Sequence, residues 1–358
     1  MADRPDRRIV ILAEGWFQTD NAKTARGVLR YGPDPVVAVI DSTLAGRRVG
    51  EFMPPDARYD AVPMVASLDE AMALPEPPSQ LLIGIAPAGG KLPEAWRGSI
   101  IHALRVGIDV VGGLHMFLGD DPEFADEAAA SGASIVDLRR PPERMEIASG
   151  RRHLPSKHVI LTVGTDCALG KMSVALELTD AARRAGLRPV FVPTGQTGMM
   201  IAGWGVTVDR VASDFLQGTA EWLVEQAEER GDWIFVEGQG SLDHPAYSSV
   251  TLGLIHGATP HGMVMVHMPG REQHEGWDAW PHPLRPLPEF IRLHEAVAGL
   301  VAPSRVVAVA LNTSLYPDET EARRIIDEIA RETGLLAGDP FRFGGDELFA
   351  AIRAALEG

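Results

Sequence analysis

The sequence predicts an α/β fold of two doubly wound domains, each a parallel sheet covered by helices on both faces. Two observations carry that expectation. Short apolar runs alternate with longer amphipathic stretches from end to end, and strands of about four to eight apolar residues spaced by helices are buried on both faces. The alternation also stops once, at the polar, proline-bearing stretch 139–155, and then restarts. A chain of 358 residues suits two domains, which the linker assigns to 1–150 and 151–358.

In the first domain the apolar runs predict strands over 9–13, 36–40, 81–86, 110–111 and 134–138. Helical periodicity places helices near 21–31, 68–74, 94–106 and 122–131. The second domain opens on a strand at 158–163, followed by a glycine-bearing turn and a helix over 172–185. Further strands fall at 190–193, 233–236, 263–267 and 305–311, and helices at 213–229, 288–298, 319–333 and 346–356.

Composition narrows the class. Hydrophobic residues make up 45% and charged residues 23%, ordinary for a soluble globular chain. The formal net charge of −16 argues against nucleic acid or an anionic membrane as partner, because both would be repelled. A small-molecule substrate is expected, and a homo-oligomer is left open. Cys167 is the single cysteine, so no internal disulfide forms and a reducing cytoplasm is the expected compartment. The first apolar run stops at Glu14, too short for a leader or a membrane span.

The strongest motif is Gly164-Thr165-Asp166-Cys167-Ala168-Leu169-Gly170-Lys171-Met172-Ser173. It follows a buried strand and opens a helix, where backbone N–H groups and the helix N-terminus make an anion site. Lysines number only four in the chain, and one stands where a point charge on a phosphate is needed. The spacing is one residue longer than G-x-x-x-x-G-K-[ST], and Met172 displaces Ser173 from the usual magnesium position. Glu237 ends a second apolar strand, at the place where a carboxylate holds Mg²⁺ or orients a nucleophile. Asp214 is a second candidate for magnesium or, in the alternative, a helix cap. The polar turn Gly195-Gln196-Thr197 faces the same crevice, and with Gly240 and Ser241 it is assigned to substrate.

The stretch 244–294 carries seven histidines together with Arg271, Arg285 and Arg292, broken up by glycine and proline. That composition predicts loops at the open edge of the sheet. His244 and His261, each beside a glycine motif, are candidates for the base, and Arg271 for bidentate binding of a carboxylate. No H-E-x-x-H and no close Cys/His pairing announces zinc.

The loop 164–171 resembles that of dethiobiotin synthetase-like P-loop proteins. Val236-Glu237-Gly238 and Asn312-Thr313-Ser314 fit the same superfamily, and the likeness implies a contact from Asn312 to a purine. A resemblance spanning nearly the whole chain is to the DgcN-type D-glutamate N-acetyltransferase family, formerly a domain of unknown function. It rests on the loop, on 236–242, on His256-Gly-Ala-Thr-Pro-His-Gly262 and on the segment from Gly334 through Asp339-Pro340-Phe-Arg-Phe-Gly344. The resemblance implies a Rossmann-like first domain, a P-loop NTPase-like second domain and acetyl transfer from acetyl-CoA to the amine of D-glutamate. Acetyl-CoA carries a phosphorylated ADP, so the loop serves that cofactor as readily as ATP with Mg²⁺. The run Leu82 to Lys91, with Gly89 and Gly90, is loosely similar to CoA-binding Rossmann turns. Two other readings stand beside this one: an ATP-dependent kinase or ligase of the dethiobiotin synthetase type, and a non-catalytic nucleotide sensor.

Overall fold

The computed structural model describes residues 7–143, 145–276 and 282–358. The chain forms two compact units, 1–141 with 199–207, and 142–198 with 208–358. The return of 199–207 to the first unit is not signalled by composition.

In the first unit the strands are β1 (Ile9–Leu12), β2 (Val36–Ile40), β3 (Met64–Val65), β4 (Gln80–Ile83), β5 (Asp109–Gly112) and β6 (Ile135–Asp137). The helices are α1 (Lys23–Tyr31), α2 (Leu68–Met72), α3 (Arg97–Arg105) and α4 (Pro122–Ser131). The six strands are all parallel, in the order β3-β2-β1-β4-β5-β6, which is the doubly wound dinucleotide-binding order. The core packs Val10, Leu12, Leu81, Ile83 and Val110 against Ile100, Leu104 and Phe124 of the covering helices and Trp96 just before α3. α4 starts where Pro122 fixes the first turn and Asp121 accepts from the N–H groups of Glu123 and Phe124.

The second unit holds β7 (His158–Gly164), α5 (Lys171–Arg184), β8 (Pro189–Val192), the start of α6 (Gln196–Ala202), α7 (Ser213–Glu228), β9 (Trp233–Val236), α8 (Ser248–Ala258) and β10 (Gly262–His267). It continues with α9 (Leu287–Ala298), β11 (Arg305–Leu311), α10 (Glu319–Thr333), β12 (Ala337–Gly338), α11 (Pro340–Phe343) and α12 (Asp346–Glu357). Its parallel order is β12-β11-β10-β7-β9-β8, so β7 lies at the centre, between β9 and β10. All strands of β7, β9 and β10 that face each other are buried along their length apart from the end residues, as the unbroken apolar runs require.

Two parallel sheets are what the sequence pattern predicts. The pattern does not show β3 and β12, which are two-residue edge strands too short for any period. It also reads 248–258 as loop. Gly253 and Gly257 cause that error, because they serve packing and not turning. A Cβ on Gly253 would stand 2.0 Å from Leu216 Cδ2, and one on Gly257 would stand 2.3 Å from the Gln217 carbonyl oxygen of α7. Among the described residues no helix is long and apolar enough to cross a membrane.

Candidate functional site

The carboxyl ends of β7, β8, β9, β10 and β11 share one edge of the second sheet, where ligands bind in open α/β sheets. At that edge β7 ends on Gly164, which pairs with Val266 of β10. The Thr165 N–H bonds to the Val266 carbonyl at 3.1 Å. The loop then turns through Ala168 at φ +52° and Gly170 at φ +102°, a left-handed conformation suited to glycine. The ring of Phe341 covers Gly170, so a Cβ there would come within 2.7 Å of it. Leu169 is buried, Cys167 half-buried, and Met172 and Ser173 lie half-buried in the first turn of α5.

Lys171 opens α5, and its ammonium donates to the Asp166 carbonyl at 2.7 Å. Burial pushes its pKa below the ordinary lysine value. Asn312 donates from Nδ2 to the Leu169 carbonyl at 3.3 Å, and its Oδ1 accepts the Ser314 N–H at 3.1 Å. The amide thus ties the loop through Nδ2 and its own turn through Oδ1.

Glu237 follows β9 at the same edge. Its Oε2 accepts the N–H groups of Thr194 at 2.9 Å and Gly195 at 3.1 Å. Burial raises its pKa to about 7, opposed by these two hydrogen bonds. Gly198 leaves room for it, since a Cβ there would reach Oε2 at 2.4 Å. Gln239 braces the turn through the Thr194 carbonyl at 2.5 Å. Gln196 and Thr197 are buried at the start of α6, beside this carboxyl group. Gly240 adopts φ +65°, and Ser241 is fully buried with its Oγ in no hydrogen bond.

Asp166 is the hub of the loop. It is fully buried. Its Oδ1 accepts from His274 Nδ1 at 2.9 Å, and its Oδ2 accepts from Arg271 at 3.0 Å and the Glu275 N–H at 2.9 Å. Burial pushes this carboxyl up, but the hydrogen bonds from His274, the backbone and Arg271 outweigh it, and the net shift is downward. Arg271 thus stands at the sheet edge, as its position after β10 predicts, but its Nη1 binds Asp166 and the Cys167 carbonyl. Through this nitrogen it pins the loop, and the same Nη1 also meets Glu275 Oε2 at 3.2 Å.

His244 joins the cluster. Its Nδ1 accepts the Ala246 N–H at 3.1 Å, and its Nε2 faces Asp166 Oδ1 at 4.0 Å. Burial lowers its pKa, aided by His274. His267, at the end of β10, shares a 2.9 Å hydrogen bond with Thr165 Oγ1, and burial takes its pKa to about 4.

Two expectations fail on geometry, for His261 and for the histidine-rich stretch. His261 precedes β10 and accepts the Val159 N–H at 3.0 Å. It sits among His153 and His158 at the amino ends of the strands, the edge opposite the loop, so it is no base for this site. Asp214 stands exposed in the first turn of α7. The histidine-rich stretch is not one set of loops, since His256 bonds from α8 to the Val297 carbonyl at 2.9 Å and His294 is buried in α9. In the first unit, Gly90 packs on the His115 ring, with 2.4 Å left to a Cβ, and Gly89 before it turns at φ +76° with open space beside it.

The sequence reading missed His274 and Asp243 as site residues. His274 lies 108 positions from its partner Asp166, and no local spacing signals a pair that only the sheet brings together.

These features define a parallel α/β protein with a P-loop whose edge gathers a buried acid and an aspartate–histidine pair. A family model described as "Domain of unknown function (DUF1611_C) P-loop domain" matches residues 146–349, and its companion "Domain of unknown function (DUF1611_N) Rossmann-like domain" matches 42–141. The chain belongs to the DUF1611 family. It is 33% identical to a D-glutamate N-acetyltransferase of Tritonibacter scottomollicae, over 93% of this chain and 94% of the relative. It is 35% identical to a D-glutamate N-acetyltransferase of Pseudoalteromonas sp, over 76% and 80%. The crystal structure of a DUF1611 family protein from Anabaena variabilis superposes with a TM-score of 0.89 at 40% identity, over 97% of this chain and 99% of that one. With its curated relatives the chain is an enzyme of the acyltransferase class.

Proposed function

We propose that this enzyme transfers the acetyl group of acetyl-CoA to the amine of D-glutamate. The observation that carries the reading is Glu237, a buried carboxyl group held at about 7 beside the phosphate loop. Acyl transfer to an amine begins with loss of a proton from the ammonium, and a base that titrates near the working pH is suited to take it. The curated relatives supply the acyl group and the acceptor by their name.

In this reading the loop 164–171 holds the cofactor phosphates, which take the place of the Asp166 carbonyl as acceptor for Lys171. Glu237 removes a proton from the substrate ammonium, and the amine nitrogen attacks the thioester carbonyl. Backbone N–H groups stabilise the oxyanion. The C–S bond then breaks as the nitrogen gives up its second proton, the sulfur leaves as CoA thiolate and takes up that proton, and N-acetyl-D-glutamate is formed.

The test is release of free thiol from acetyl-CoA with D-glutamate, L-glutamate and neutral D-amino acids as acceptors. Thiol release that depends on D-glutamate is expected. Formation of ADP from ATP and Mg²⁺ with no thiol release would favour the kinase or ligase reading instead. A thermal shift with ATP and no turnover of either kind would favour a nucleotide sensor.

A further inference from the structure

We propose that Asp243, His274 and His282 form a site for one divalent metal ion of the zinc class, with Asp166 orienting His274 from behind. The inference rests on the geometry of these side chains and not on the acetyl-transfer reading.

His274 is fully buried, and its Nδ1–H donates to Asp166. In the neutral ring that a metal requires, the lone pair is therefore on Nε2, which is buried and in no hydrogen bond. A histidine that binds metal through one nitrogen characteristically donates the other N–H to a carboxylate, which fixes ring and tautomer. Asp243 supplies the second ligand. Its side chain is 9% exposed, and neither carboxylate oxygen is in a hydrogen bond. A buried carboxylate is costly without compensating charge, and Arg285 faces only one of its two oxygens.

Oδ2 has Arg285 Nε at 3.3 Å on the solvent side, which leaves Oδ1 to face His274 Nε2 at 3.3 Å. Two ligand atoms about 2.0–2.1 Å from a tetrahedral ion stand about 3.3 Å apart. His282 stacks on His274 with ring centroids 5.2 Å apart, and the ligand atoms of all three residues lie within 4.8 Å of one another.

His244 is outside the ligand set although it lies close. Its Nδ1 accepts a backbone N–H, so its proton is on the Nε2 that faces Asp166. Both Asp166 oxygens are already engaged. Two neutral imidazoles and one carboxylate leave a divalent ion with a net charge of about +1 and at least one open position. Such a centre accepts water or an anionic ligand, in a chain whose own net charge is −16.

The experiment is titration of chelator-stripped full-length protein with ZnCl₂ by calorimetry, and with CoCl₂ by visible absorption. One ion per chain is expected, with the intense d–d bands of low-symmetry cobalt. Asp243→Asn and His282→Ala should each weaken binding about 100-fold or more, and Asp166→Asn about 10- to 100-fold through the orientation of His274. His261→Ala, in the separate histidine group at the other sheet edge, should leave binding unchanged. Circular dichroism checks the fold, and half-buried His282 carries the test if a variant of Asp243 does not fold. The proposal is overturned if wild type binds no stoichiometric ion. It is equally overturned if binding survives in Asp243→Asn and His282→Ala, or is lost in His261→Ala instead.

Discussion

Glu237 is the residue on which pH acts most directly. Its folded pKa of about 7 lies above the ordinary 4.5 because burial disfavours the charged form. A carboxyl group raised on folding binds its proton more tightly in the native state. Its contribution to stability is full below about pH 4.5 and is lost as pH rises through 7. That rise corresponds to on the order of 3 kcal/mol. Glu237→Gln keeps an oxygen for the Thr194 and Gly195 N–H groups and removes the charge. The variant should melt several degrees above wild type at pH 8 and by much less at pH 5. Its turnover should fall about 10²- to 10⁴-fold, the range for loss of a general base, while wild-type kcat/KM rises through a limb near pH 7. A variant that melts like wild type at both pH values, or turns over normally, removes the role.

At this scale the places of the loop and of Glu237 are legible in the sequence because each follows a strand end that local pattern reveals, and that of Lys171 because it opens the helix after the loop. The sequence did not show the partners of Asp166. His274, Arg271 and Glu275 reach it across more than a hundred positions, and only the pairing of β7 with β10 closes that distance.

Elements were read from apolar period, and most of them followed from it. The failure at α8 is instructive, since its two glycines look like breakers in the sequence and act as a seat for α7. α7 and α8 approach at Leu216, Gln217 and Ala220, where Gly253 and Gly257 leave no room for a side chain. Gly257→Ala puts a methyl group against the Gln217 backbone, at 2.3 Å from its oxygen and 2.8 Å from its Cα. Backbone yields less readily than the end of a side chain, so the helix pair must separate. The expected loss is about 1–3 kcal/mol in urea unfolding. Gly98→Ala, in the first turn of α3 with nothing within 4 Å, is the matched control. It should be neutral or stabilise by up to about 1 kcal/mol. Equal effects at the two positions would mean that helix propensity, and not the α7–α8 contact, governs position 257.

The whole molecule carries 49 acidic against 33 basic residues, and that imbalance bears on how an anionic cofactor arrives. The proposed donor and acceptor are both anions, so the long-range field opposes encounter while the loop amides and Lys171 attract at short range. Salt separates the two effects. The Debye length falls from about 30 Å at 0.01 M to about 8 Å at 0.15 M, which screens the distant carboxylates more than the buried loop groups. The kcat/KM for acetyl-CoA should therefore rise on the order of threefold between these ionic strengths, with kcat nearly constant because the bound complex is already formed. Viscosity-matched assays in NaCl and in potassium acetate would separate screening from competition by a particular anion. A kcat/KM that falls steadily with both salts would mean that local cations, and not the net charge, set the field at the mouth of the site.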